Sequence, residues 1–352
     1  MAELPCPLTS KPTTTSLGDH TYRLHHLIFL IKERALTALS KNNRIFTYIT
    51  TRSTALMALW DYLLMANDRI NRLVEASVAI QREIWGETSF NHSLLCQVNL
   101  PYRNLGDDVR DYTRTSGGVS LRLEAGAIPS ADGWKPVGLP YGPRARLLML
   151  HLCSLAIKQQ SPTVEVEQSF TSFCRALGIA TNGRNLRTIR DQIDRMSAVS
   201  MRLAMLQKDE LSVFQGPVFD GMRLMLPENP NQKPLWTSQV RFSPPFYESL
   251  KNHAVPLDLK AIQAIRHSAR AIDIYCWLAS RLWRIPEGKT VKVRWTSLKY
   301  QFGQPEQSLK SFKKAFQEAF IQARVVYPRA RAEFVYQGVS LERSPPAIPK
   351  IE

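Results

Sequence analysis

Cysteine is scarce and poorly spaced for metal chemistry. Five occur in 352 residues, at Cys6, Cys96, Cys153, Cys174 and Cys276, an odd number with no C-x-x-C pair. This argues against a disulfide framework and against a zinc site. Cys153, Cys174 and Cys276 fall inside apolar helical patterns, where a free thiol serves as core filler. Long apolar runs are also missing. The longest in the N-terminal region, Leu27–Ile31, is far too short to span a bilayer. Met1–Asp19 is rich in Thr, Pro and Ser and lacks the basic-then-apolar order of a signal peptide. These absences predict a cytoplasmic protein in a reducing compartment, with no membrane partner, no metal and no cofactor.

Motifs of catalysis are equally thin. A rolling-circle nicking enzyme needs two His separated by one apolar residue to hold its metal. His25 and His26 are adjacent instead, and neighbours on a helix point about 100° apart. Gly288-Lys289-Thr290 ends like a phosphate-binding loop, but Trp283 stands where the first glycine belongs, so the backbone cannot wrap a triphosphate. H-E-x-x-H and G-x-S-x-G are absent. The sequence predicts a protein that is not an enzyme.

Acidic residues are too few to balance the basic ones: 30 Asp and Glu against 46 Lys and Arg, a net charge of +16. Residues 236–352 hold 19 basic against 9 acidic residues, whereas residues 1–90 hold 10 against 8. Charge of that size and placement attracts a polyanion, and the C-terminal third is its contact.

The order of elements gives the polyanion a name. Residues 1–19 read as disordered and 20–98 as a helical N-terminal region, with helices over 20–40 and 53–85. In the latter, Leu56, Leu59, Trp60, Leu63, Leu64 and Ile70 follow helical spacing. Residues 99–137 are a Gly/Pro-rich connection with at most one short strand, Val119–Leu123. After it the chain says similar things twice. A helix (Arg144–Gln159), a strand (Thr163–Glu167), a helix (Ser169–Gly178) and a helix (about Gly183–Ser197) lead to a hairpin of Val199–Leu206 and Leu211–Leu226. The second pass has a helix (Ser268–Trp283), a strand (Thr290–Arg294), a helix (Trp295–Phe302) and a helix (about Gln307–Ala323). Its hairpin is Arg324–Tyr327 and Ala332–Leu341, with Pro328-Arg329-Ala330-Arg331 at the tip. Ala145-Arg146 echoes Ala269-Arg270, Thr163-Val164-Glu165-Val166 echoes Thr290-Val291-Lys292-Val293, and Leu177-Gly178 echoes Phe302-Gly303.

Helix, strand, helix, turn, helix, hairpin is the order of a winged helix, whose last helix lies in the DNA major groove. The expected architecture is therefore α+β: two tandem winged-helix domains, 138–235 and 236–343, behind a helical N-terminal region, with a disordered tail at 344–352. In the first recognition helix Leu186, Ile189, Ile193 and Met196 form the core stripe. Arg184, Arg187, Thr188 and Arg195 face away, with Asp191 placed to orient an arginine at i,i+4. In the second, Leu309, Phe312, Phe316 and Phe320 are the stripe. Gln307, Lys310, Ser311, Lys313 and Lys314 form the outer face, and the wing adds Arg324, Arg329 and Arg331. The bland alternative for each helix is a solvated charged face. Trp277 and Trp283 sit among apolar neighbours and read as core, so no stacking platform for single strands is expected.

Gly138-Leu139-Pro140-Tyr141-Gly142-Pro143-Arg144-Ala145-Arg146-Leu147-Leu148 resembles the plasmid-encoded RepA replication initiator family. So does Val166-Glu167-Gln168-Ser169-Phe170-Thr171-Ser172-Phe173-Cys174-Arg175-Ala176-Leu177-Gly178, and upstream Asn99-Leu100-Pro101-Tyr102-Arg103-Asn104 is similar to that family's lead-in. The likeness covers roughly 95–300. It implies binding to repeated double-stranded sites (iterons) in a plasmid origin and opening of an AT-rich segment. It also implies loading of the replicative helicase with host initiator as partner, and repression of the protein's own gene by a dimer. The rival is a winged-helix repressor or partition-type DNA-binding protein. Two unlike copies in one chain weigh against it, since a repressor gains its second half-site by dimerising. Residues 20–85 serve either a homodimer contact or packing on the first winged helix.

Overall fold

The computed structural model describes residues 73, 75, 77–79, 82 and 87–348, apart from 167–169, 208–209, 215–217, 224–238 and 305. All of them belong to one compact unit, Arg69–Glu352. The expected N-terminal segment 1–19, the helix over 20–40, Cys6 and the His25-His26 pair lie outside the described residues. Of the helix expected over 53–85, residues 73, 75 and 77–79 are described and are helical.

Two long helices sit at the centre. Helix α1 (Gly142–Gln159) starts at Gly142, whose φ of 72° suits glycine, and Pro143 presets its first turn. It stops where Gln160 turns left-handed and donates its N–H to the Ala156 carbonyl. Helix α2 (Ala269–Arg281) is capped by Ser268, whose hydroxyl accepts from the Ala271 N–H. Both are buried along most of their length, Arg146 and Asp273 included.

Each central helix opens one copy of the repeat. In the first copy come β1 (Thr163–Glu165), α3 (Phe170–Ala176) and α4 (Gly183–Ala198), and then β2 (Phe219–Arg223) and β3 (Gln239–Phe242). In the second come β4 (Thr290–Arg294), α5 (Trp295–Phe302), α6 (Leu309–Val325), β5 (Ala332–Val335) and β6 (Gly338–Glu342). The strand orders are β1-β3-β2 and β4-β6-β5, antiparallel throughout: first, third, second in both copies. The repeat seen in the sequence is thus a repeat of topology.

Three expectations about strands need correction. The hairpin read for the first copy is not the partner of its own first strand. Its first arm is β7 (Ser200–Gln207), and its second, Leu211–Leu226, is split: β8 (Glu210–Phe214) joins β7, β9 (Asp111–Ser116) and β10 (Val119–Glu124) in a separate sheet ordered β9-β10-β7-β8, whereas β2 pairs with β3. Strand-like composition ran through the whole of Leu211–Leu226, and only pairing divided it between two sheets. In the second copy Arg324 and Val325 remain in α6, so Pro328–Arg331 is the connection into β5 and not a tip. The tip is Tyr336-Gln337, the two residues between the Val335↔Gly338 pair. Third, the connection 99–137 carries four strands: β9, β10, β11 (Ala127–Ser130) and β12 (Gly133–Pro136). Only β10 alternates between buried and outward residues; β12 is exposed along its whole length, so hydrophobic patterning gave no signal for it.

The boundary expected at 235/236 separates no cores. One continuous apolar cluster contains Leu148, Ile189 and Val240 of the first copy and Ile274, Phe316 and Leu341 of the second. Strand β13 (Thr88–His92) pairs antiparallel with β14 (Ala254–Asp258), tying residues upstream of the connection to the segment between the copies. The expected tail is packed in its described part, with Ser344, Ala347 and Ile348 buried. Cys96, Cys153, Cys174 and Cys276 are free and buried, as core filler should be. Among the described residues no helix is long and apolar enough to cross a membrane.

Candidate nucleic-acid interface

The first turns of α4 and α6 correspond position by position. Asn182 caps α4, its side chain accepting from the Asn185 N–H, and Ser308 caps α6, accepting from the Ser311 N–H. Two residues past each cap stands an exposed cation, Arg184 and Lys310. A capped N-terminus carries a partial positive charge from its aligned peptide dipoles, so each cation adds to a field that favours a phosphate.

In α4, Arg184 and Arg187 are exposed, and Thr188 is half-buried with its hydroxyl donating to the Arg184 carbonyl. Arg144 of α1 stands beside Arg184 and donates to Asn185 Oδ1 at 2.6 Å. Burial, and then the Arg184 charge, lower its pKa. Sequence reading missed Arg144 because it sits at the start of a buried helix, where nothing in the spacing marks it as facing α4. Arg195 does not belong to this surface. It is 7% exposed. Its guanidinium bonds Asp191 Oδ1 at 2.9 Å and Asp107 Oδ1 at 3.0 Å and lies over the Tyr141 ring. Burial alone would lower its pKa; the two carboxylates outweigh that, and the net direction is up. Asp191 therefore orients Arg195, as i,i+4 spacing allowed, but inward.

In α6, Lys310, Ser311 and Lys314 are exposed on one face. Lys313 lies on the flank with Nζ 5.3 Å from the Trp295 ring centre. Gln307, just before the cap, is half-buried with Oε1 turned inward. Phe312, Phe316 and Phe320 are buried core; Leu309, read as part of that stripe, is exposed at the helix start. The arginines expected in the second wing are dispersed. Arg324 donates from Nη1 to the Ala332 carbonyl, holding β5 against α6, and burial lowers its pKa. Arg329 and Arg331 sit in the α6–β5 connection. At the actual tip Tyr336 projects fully, while its carbonyl and that of Gln337 accept from the side chain and backbone of Trp295.

The two copies are locked together between α1 and α2. Arg146 and Arg270, the echoing arginines of the sequence, both place their guanidinia over the Tyr102 ring, at 4.8 and 4.9 Å. Arg146 also donates to the Leu100 and Pro101 carbonyls. The lead-in Asn99–Asn104 is thereby fastened between the copies, with Asn99 Nδ2 donating to the Gln301 carbonyl.

No curated protein matches the chain. The chain is similar to the solved structure described as "Crystal structure of SeMet derivatives of domain2 and domain 3 of RctB", at 12% identity and a TM-score of 0.44, over 71% of this chain and 98% of that one. A second crystal structure of RctB domains 2-3 aligns at 11% identity and a TM-score of 0.42, over 70% of this chain and 94% of that one. Residues 139–297, from the turn before α1 into α5, match the family model described as "Plasmid encoded RepA protein".

Proposed function

We propose that this protein is a plasmid replication initiator that grips repeated double-stranded sites in its origin with two winged helices, α4 and α6 being the recognition helices and β2–β3 and β5–β6 the wings. The observation that carries the reading is the repeated topology: helix, strand, helix, helix and two strands, in the order first-third-second, with an exposed cation at the same place in each last helix. Unlike surfaces on the two helices, arginine-rich in α4 and lysine-rich in α6, suit an asymmetric site read by one chain. The family match over residues 139–297 supports the plasmid setting. Origin opening, cooperation with host initiator and helicase, repression of its own gene by a dimer, and action without catalysis complete the proposal.

The test is footprinting of purified protein on the DNA flanking its gene against a shuffled control, at several salt concentrations. The expected result is protected sites repeated in direct orientation, bound at least about 10³-fold more tightly than the control. One palindromic footprint would make the protein a repressor. Equal, strongly salt-dependent binding to both DNAs would remove the specificity argument.

A further inference from the structure

The β4-β6-β5 sheet has two ends. One carries the Tyr336-Gln337 tip. At the other, where β4 begins and β6 ends, lies an open groove of about 510 Å³, the size of a small-molecule site. Trp283 of the turn after α2 lines it at 44% exposure, so it is not the core residue its neighbours suggest. Lys289, Arg331 and Arg343 line it too, all exposed and none in an ion pair among the described residues. Lys289 belongs to the Gly288-Lys289-Thr290 turn that led to no phosphate loop. Arg331, expected at the wing tip, stands here instead. Glu287 and Glu342 complete the rim.

This groove is remote from the proposed duplex-reading surface. Arg331 follows the C-terminal end of α6, and the helix's 17 residues put about 25 Å along its axis between that end and the turn bearing Lys310.

We propose that the groove is a nucleotide-binding site, separate from the duplex interface, in which a base stacks on Trp283 while its phosphate is held by Lys289, Arg331 and Arg343. An exposed indole beside several cations is the combination that single nucleotides and single strands select, because every base has a π-face and every phosphate a charge. The carboxylates favour a nucleotide over a bare anion. Glu287 and Glu342 repel an inorganic phosphate but accept hydrogen bonds from the amino groups and sugar hydroxyls that a nucleotide carries. Arg284, 5.1 Å from the Trp283 ring centre, holds the indole in place. The nucleotide comes from one of two sources, a free mononucleotide or a unit of a single strand.

Anisotropy of a fluorescein-labelled dA12 strand on the full chain tests this, with AMP and ribose 5-phosphate as competitors. The two competitors carry the same phosphate, and only one has a base. Trp283→Ala and the pair Lys289→Ala/Arg343→Ala are each expected to weaken strand binding at least about fivefold, while affinity for origin duplex stays unchanged. Trp283→Phe, which keeps a stacking ring, should retain most of the binding, and unchanged thermal melts show that the variants fold. AMP competing as well as the strand, residue for residue, assigns the site to a free nucleotide; AMP competing far more weakly assigns it to a single strand. Where AMP competes, ribose 5-phosphate competing equally well overturns the proposal; so do both variants binding dA12 like the parent, whatever the duplex result.

Discussion

Arg146 and Asp273 face each other in a buried, bidentate ion pair, Nε to Oδ1 at 2.7 Å and Nη2 to Oδ2 at 2.8 Å, that joins the first helix of one copy to the first helix of the other. Their side chains are 5% and 8% exposed. Asp273→Ala strands the guanidinium in the core and is expected to cost about 3–5 kcal/mol in urea unfolding. Arg146→Met with Asp273→Leu removes both charges and should recover much of that loss. A cost below about 1 kcal/mol for Asp273→Ala would show that water reaches the site and that the pair does not join the copies.

Lys310→Ala with Lys314→Ala should weaken binding to origin and shuffled duplex alike. The slope of log affinity against log salt should shallow by about 1 for each phosphate that the variant no longer neutralises. An unchanged slope means that the exposed face of α6 does not meet DNA.

Arg184→Ala and Arg187→Ala, by contrast, should cost about 1–3 kcal/mol at particular base pairs and little elsewhere. Equal losses on all sequences reduce them to phosphate contacts. Arg195→Ala separates the two roles within one helix. Its bonds to Asp191 and Asp107 point inward, so the expected loss is about 2–3 kcal/mol of stability, with base preference unaltered in the folded fraction.

His92 makes stability depend on pH. Its Nδ1 accepts from the Leu94 N–H at 3.1 Å, which leaves Nε2 as the protonated nitrogen, 2.9 Å from the Ser249 hydroxyl. Burial, and then the charge of His253, push its pKa down from 6.5 to about 4. The unfolded chain therefore binds the proton first as pH falls, and stability present above pH 6.5 is lost progressively towards pH 4. The full shift corresponds to about 3 kcal/mol. Urea midpoints measured from pH 7 to 4.5 should drop in the parent and flatten in His92→Gln; parallel curves would assign the acid sensitivity to other groups.

The sequence was legible where one chain segment makes its own pattern. Apolar periodicity marked α1, α2, α4 and α6, and the echo of Thr163–Val166 in Thr290–Val293 marked the first strand of each copy. It was illegible where partners are distant in the chain. Val199–Leu206 and Phe219–Arg223 have the same strand-like composition, and nothing local says that the former pairs with Val119–Glu124 and the latter with Gln239–Phe242. Helical spacing set Arg195 on the outer face of α4 because it knows only its own helix; Asp107 and Tyr141 turn that face inward. Trp283 failed the opposite way, with apolar neighbours in sequence and an open groove in space.

By itself the sequence determined the α+β composition, the two-fold repeat, the basic character of the C-terminal third and the two helices that carry exposed cations. These depend on spacing within one segment and on charge, which needs no partner to be counted. Only the tertiary structure decided which hairpin completes which sheet, that the two copies share one core through Arg146 and Asp273, and which arginines remain free for a ligand. A side chain's availability is set by what packs against it, and packing brings together residues that the chain keeps far apart.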